Sequence, residues 1–196
     1  MTTPQSAIRN PQYDDALALF HAWTEGESLR RHAYAVEAAM RQYAEQFGLP
    51  PEEVERWRIA GLLHDMDYER HPTPEEHPFV GVAELERRGY DEEIRQAILG
   101  HALYSGVPRE SLMAKTLFAV DELAGFVTAV AHVRPEGLAG MTPKSVKKKL
   151  KDKRFAAAVS REDIARGAEE LGVEMDAHIA TVIAGMEREA KRLGFA

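Results

Sequence analysis

From Ser28 to Phe47, apolar residues return at alternating steps of four and three: Leu29, Ala33, Val36, Met40, Tyr43 and Phe47. Polar residues fill the gaps, so the spacing lays one apolar stripe along an amphipathic helix. Gly48 supplies a stop. Pro50-Pro51 followed by Glu52-Glu53 then starts a second helix, with its charges suited to the helix dipole. Thr73-Pro74-Glu75-Glu76 reads as a capping box with proline at the first helical position. Thr142-Pro143 and Ser160-Arg161-Glu162-Asp163 are weaker start signals of the same kind, and Gly89, Gly172 and Gly194 fall where helices should end.

These signals predict helices near 11–23, 28–47, 51–64, 75–88, 91–103, 108–132, 143–151, 160–171 and 175–193. No segment alternates as a strand would, and there is no repeat or low-complexity linker. The expected fold is an all-α bundle of about nine helices. The glycine- and proline-rich string "RPEGLAGMTP", 134–143, is the best candidate boundary. It divides a core, 28–135, from a C-terminal helical extension, 136–196, with 1–27 as a lead-in helix. An extension of roughly 55 residues is marginal alone, so it is expected to pack on the core as part of one domain.

The chain has 196 residues, 44% hydrophobic and 29% charged, with no cysteine and a net charge of −7. No apolar run approaches the ~20 residues that span a bilayer, and "MTTPQSAIRNPQYDD" lacks the basic and apolar regions of a secretory leader. Cytoplasmic residence is the expectation. Without cysteine there are no disulfides, thiolate nucleophiles or thiolate-bound metals. The acidic balance argues against general nucleic-acid binding, because polyphosphate chains need a basic surface. It leaves room for a small phosphorylated substrate and for a homodimer.

The candidate chemistry lies in histidines and aspartates that extend apolar faces. His64 continues the face of Val54, Trp57 and Gly61, and His101 continues that of Ile94, Ala97 and Ile98. Asp121 is in register with Leu117 and Ala124, while His32 flanks the first stripe beside Val36. Four polar groups on four predicted helices thus point toward a shared interior. A single buried histidine is usually a hydrogen-bonded core residue, and an unpaired buried carboxylate is costly. Several of both on facing helices are a common way to build a metal site, because the ion's charge stabilises the cluster.

The ordered set His32, His64-Asp65 and Asp121, with "AGLLHD" and "AVDELAGF" around it, resembles the HD superfamily of metal-dependent phosphohydrolases over roughly residues 25–135. The resemblance implies a single-domain HD-type bundle and one or two divalent transition-metal ions. His32, His64, Asp65 and Asp121 would hold the first ion. Asp65 would bridge to a second, completed by His77 and His101, which sit where dinuclear members carry further ligands. Nitrogen and oxygen donors without sulfur suit Mn²⁺, Fe²⁺, Co²⁺, Ni²⁺ or Zn²⁺.

The implied activity is hydrolysis of a phosphate mono- or diester of a small metabolite or nucleotide by a metal-activated water. Asp65 and Asp67 are the catalytic candidates. Asp67 and Glu69 read either as a solvated loop or helix end, or as groups that orient a ligand histidine or take a proton. Arg31 and Lys115 are candidate phosphate contacts. The basic run from Lys144 to Arg154, with Lys147 and Lys148, reads either as a solvated face or as a flap that draws in an anionic substrate. Glu122, about 100° round the helix from Asp121, is not expected to ligate. His21 and His178 are read as surface or packing residues.

Related HD-fold proteins such as inositol oxygenase and phosphonate-cleaving enzymes use a similar donor set to hold two irons. A di-iron oxygenase is therefore an alternative, as is a nucleotide-binding regulatory module. Loss of a ligand, the usual mark of the latter, is not seen. A dGTPase-like or guanosine-polyphosphate hydrolase would be expected to need a longer chain, and the Gly-Tyr-Pro signature of cyclic-dinucleotide hydrolases is missing: "RRGYDEE" has aspartate after tyrosine.

Overall fold

A computed structural model describes residues 12–195. The first eleven residues, which carry most of the no-leader reading and the first residue of the predicted 11–23 helix, lie outside that range, as does Ala196. The order of elements is α1 (Tyr13–Trp23), α2 (Glu27–Gln46), α3 (Pro51–Leu63), α4 (Phe79–Arg87) and α5 (Glu92–His101). A 3-10 turn, Leu103–Ser105, precedes α6 (Leu112–His132), α7 (Pro143–Leu150), α8 (Arg161–Leu171), α9 (Met175–Arg188) and α10 (Ala190–Leu193). No strand occurs among the described residues. None of their helices is long and apolar enough to cross a membrane.

The long helix α6 is the axis of the bundle. It packs against α2, α5, α8 and α9. Accordingly Leu117, Val120, Leu123, Phe126, Val127 and Val130 are all buried. Each such large apolar side chain contributes roughly 1.5–3 kcal/mol on burial. The partner helix α2 buries Ala33, Val36, Met40 and Tyr43 of the predicted stripe, while Phe47 stays partly exposed at its end. Helices α2 and α3 meet closely at Gly61, where a Cβ would lie 2.9 Å from the Glu37 Cα. One apolar core runs from Ala16 to Leu193, so the C-terminal helices share it with the rest.

Three predicted boundaries move. The helix expected over 75–88 begins only at Phe79: Thr73 bonds the Glu76 side chain at 3.1 Å within a run of turns, and Pro78 has no N–H to extend a helix through that point. The helix expected from 108 begins at Leu112, because Ser111 caps it by accepting the Ala114 N–H at 3.1 Å. The last helix is two pieces, broken at Glu189. Thr142 and Ser160 do cap α7 and α8 as their sequences suggest.

Candidate metal centre

The centre forms where α3 ends against α2, α5 and α6. His64 is the residue after α3, and Asp65 follows in a turn. His32 comes from α2, His101 ends α5, Asp121 lies midway along α6, and His77 sits in the turns before α4. The structure brings all six predicted donors together.

The two oxygens of Asp65 face different partners. Its Oδ2 lies 3.5 Å from His64 Nε2 and 3.9 Å from His32 Nε2. Its Oδ1 lies 3.3 Å from both His77 Nε2 and His101 Nε2. Asp121 Oδ1 completes the first group, at 3.0 Å from His32 Nε2 and 3.5 Å from His64 Nε2. Atoms that each bind one ion at roughly 2.1 Å stand about 3.0–3.4 Å apart at octahedral or tetrahedral corners. Three of these six separations are of that size, and the two at 3.5 Å lie just beyond it. His32, His64 and Asp65 form one compact set and Asp65, His77 and His101 another.

Hydrogen bonds on the far side of three rings decide what their near sides offer. His64 Nδ1 lies 2.8 Å from the Gly61 carbonyl and His101 Nδ1 2.5 Å from that of Ile98. A carbonyl only accepts, so each Nδ1 carries the proton in a neutral ring and leaves a lone pair on Nε2. His77 Nδ1 is held by Asp67 Oδ1 at 2.7 Å. The Nε2 of His64 is buried with no hydrogen-bond partner. A buried lone pair aimed at two carboxylates fits a divalent ion, and so does the all-nitrogen-and-oxygen donor set.

The electrostatics agree. Burial pushes the His64 imidazole down, yet Asp65 and Asp121 outweigh it and hold it well above the usual range. Burial likewise lowers His77, but Asp65 and Asp67 lift it to about 9. Burial would raise the Asp65 carboxyl; His64, His101 and His77 hold it well below instead. Asp121 is depressed in the same way, against burial, by His64 and His32. A field that favours protons on these rings also favours a cation in their place.

Asp67 was expected among the catalytic groups or as the orienter of a ligand histidine, and its contacts are those of the orienter. It is buried, its Oδ1 holds His77, and its Oδ2 accepts the Gly81 N–H at 2.6 Å. One oxygen thus aims a donor ring while the other is fixed by backbone. Residue 81 must be small, since a Cβ there would lie 2.9 Å from the Asp67 carboxylate. Glu69 is exposed and accepts the backbone N–H groups of Glu25 and Gly26, anchoring the start of α2.

A cavity of 280 Å³ opens beside the centre, lined by His77, His101 and Asp121 of the donor set. Tyr68, Leu103, Tyr104 and Phe118 give it apolar and aromatic walls, and Glu122 and Asp163 add carboxylates. Burial pushes the Glu122 carboxyl up to about 7, helped by Asp121 and Asp163, while the Ser160 N–H, 3.1 Å away, opposes the rise. No lysine or arginine is among the described residues that line it.

The predicted phosphate contacts lie elsewhere. Arg31 pairs with Glu27 at 3.0 Å, the charge of Lys115 acts on Glu170, and Lys147 pairs with Asp176 at 2.5 Å. Lys144 and Lys148 are exposed on α7. Sequence reasoning missed Tyr68, Tyr104, Glu122 and Asp163 as cavity groups. Glu122 was legible as Asp121's neighbour, whereas Asp163 carried no signal, because only the packing of α8 on α6 brings it there.

The sequence profile of the HD domain family matches residues 29–125, a span that contains all six donors. No curated protein and no solved structure shows significant similarity to the chain.

Proposed function

The chain belongs to the HD-domain superfamily through residues 29–125, and from that premise we propose that it is a metal-dependent phosphohydrolase acting on a small phosphate monoester. The observation that carries the reading is Asp65, whose two oxygens each face a separate pair of histidines. His32, His64, Asp65 and Asp121 would hold one ion, and Asp65, His77 and His101 a second. When bound, such ions supply a Lewis acid for phosphoryl oxygens and acidify a water for attack.

The protein's own groups prepare the site. The Gly61 and Ile98 carbonyls fix the tautomers of His64 and His101, and Asp67 fixes His77. Little reorganisation is then needed at the moment of reaction. Tyr68, Phe118 and Tyr104 line the cavity with aromatic surface. Its volume is at the low end for ligand sites, which run from about 300 Å³ upward. That size favours a small metabolite over a nucleotide. With no lysine or arginine among the described lining residues, phosphate has no protein cation to meet there, so activity should depend strictly on metal.

The test is reconstitution of purified protein with Mn²⁺, Fe²⁺, Co²⁺, Ni²⁺ or Zn²⁺. Metal stoichiometry and release of inorganic phosphate from a panel of mono- and diesters would be measured on the same samples. Two ions per chain with monoester hydrolysis abolished by chelator is the expected result. Two irons with oxygen-dependent turnover and no phosphate release would overturn it in favour of the oxygenase.

A further inference from the structure

The cavity beside the donor set differs from an ordinary phosphate pocket in the sign of its walls. Beyond the metal donors it offers two more carboxylates, Glu122 from α6 and Asp163 from the first turn of α8. The Ser160 N–H bonds one Glu122 oxygen at 3.1 Å, which ties the two acidic groups to one structural unit. Arg166 is the cation paired with Asp163, at 3.8 Å along the partly exposed face of α8, and is not among the lining residues. Tyr68 and Tyr104, 46% and 52% exposed, line the same cavity.

This is more than a patch of acids. The cavity is continuous with His77, His101 and Asp121, and His64 presents a buried, unpartnered Nε2 to Asp121 from behind. A substrate whose phosphate faces the donor set must place its remaining atoms between the carboxylates and the tyrosines. A carboxylate accepts hydrogen bonds from an ammonium, and aromatic faces attract cations. A second phosphate or a carboxylate on the substrate would meet like charge, while a neutral alkyl group would leave the acids without a partner.

We propose that the cavity selects phosphate monoesters whose leaving group carries an ammonium, with Glu122 and Asp163 as the residues that read it and Tyr68 and Tyr104 as its aromatic wall. This rests on the phosphohydrolase reading for the identity of the reacting end and adds the identity of the other end. A short aminoalkyl phosphate has the right size and charge pattern: an anionic end for the metal centre and a cationic end for the carboxylates.

The experiment compares 2-aminoethyl phosphate with ethyl phosphate and 2-hydroxyethyl phosphate on the metal-loaded protein. The expected result is a kcat/KM at least about tenfold higher for the amino ester than for either neutral one, the worth of one partly buried charge-assisted contact. Asp163→Asn should collapse that ratio about fivefold or more, and Glu122→Gln serves as the second variant if the first does not fold. Equal kcat/KM for all three esters would overturn the ammonium assignment while leaving the phosphohydrolase standing. So would variants that slow all three equally with the ratio unchanged, because a merely structural role does that.

If no ester is hydrolysed, the phosphohydrolase reading fails. Titration calorimetry of the same three esters then reads selectivity directly. Binding of 2-aminoethyl phosphate about tenfold tighter than the others supports the proposal, and equal affinities overturn it.

Discussion

His64 and His178 are both completely buried, yet their ring nitrogens are partnered differently. His178 Nε2 faces the Ala119 carbonyl at 2.9 Å and must donate, so its Nδ1 accepts from the Tyr43 hydroxyl at 2.6 Å. Every polar atom of that ring is satisfied inside the seam between α2 and α9. His64 instead donates from Nδ1 and leaves Nε2 without a partner among carboxylates.

Helix α2 also holds a buried carboxylate that is fully answered, by side chains from α1, α3 and α10. Glu37 receives Arg58 and Arg192, each at 2.8 Å, and the Tyr13 hydroxyl at 2.9 Å. Asp65, fewer than ten residues along the chain from Arg58, meets only histidines. Burial of polar groups is thus handled in two ways in one bundle. Where the chain supplies matching donors and cations, the cluster is structural. Where it leaves lone pairs and negative charge converging, the cluster is built for something added.

The sharpest way to break this contrast is to remove its bridging group. Asp65→Ala should lower metal-dependent activity on the order of a thousandfold. It should also abolish the stabilisation that added metal gives the wild type. That stabilisation is about 2.7 kcal/mol at a free ion concentration ~100 times Kd, or roughly 5–10 °C in Tm. Differential scanning fluorimetry with and without chelator reads it. An unchanged response to metal in the variant would remove Asp65 from the centre.

Glu37→Ala should do the reverse. It strands two arginines and should cost about 3 kcal/mol of stability by urea unfolding, while metal stoichiometry of the folded protein stays at the wild-type value. Loss of metal binding in that variant would show that the two clusters are not separate.

A smaller effect is expected at the link between structure and site. Asp67→Asn weakens the hold on His77 and should reduce metal affinity about 10- to 100-fold, measured by competition with a chromophoric chelator. A thousandfold loss would instead give Asp67 a direct part in the chemistry.

The smallest expected effect is in pH dependence. Burial holds His178 below the usual histidine range, with the Ala119 carbonyl opposing it. The unfolded chain therefore takes up this proton first, from about pH 6.5 downward. The stability contributed by the neutral ring is complete above that pH and lost below it, by at most about 1.4 kcal/mol per pH unit. The difference in unfolding free energy between wild type and His178→Gln should shrink as pH falls from 7.5 to 5.5. A constant difference would mean that the ring does not titrate between the two states.

The histidines also show why some of the site was legible and some was not. His64 and His101 each extend an apolar helical face, and periodicity alone turns such residues inward. His77 was read inside a helix over 75–88 and entered the donor set only through the resemblance, whereas a turn before Pro78 presents the ring. Asp67 looked like a loop residue beside Tyr68 and Glu69, both exposed, and only the approach of Gly81 shows that it is buried.

By itself, the sequence determined most of the helices, the caps at Thr142 and Ser160, and the inward turn of His64, His101 and Asp121. Those follow from local spacing and backbone chemistry, which act within a few turns of chain, whereas the family and the full six-donor set rested on the resemblance of its motifs. Tertiary structure decided which oxygen of Asp65 faces which histidine, which ring nitrogen carries each proton, and that Asp163 reaches the cavity from α8. Such choices depend on contacts between residues far apart in sequence, where packing sets the distances and no periodicity records them.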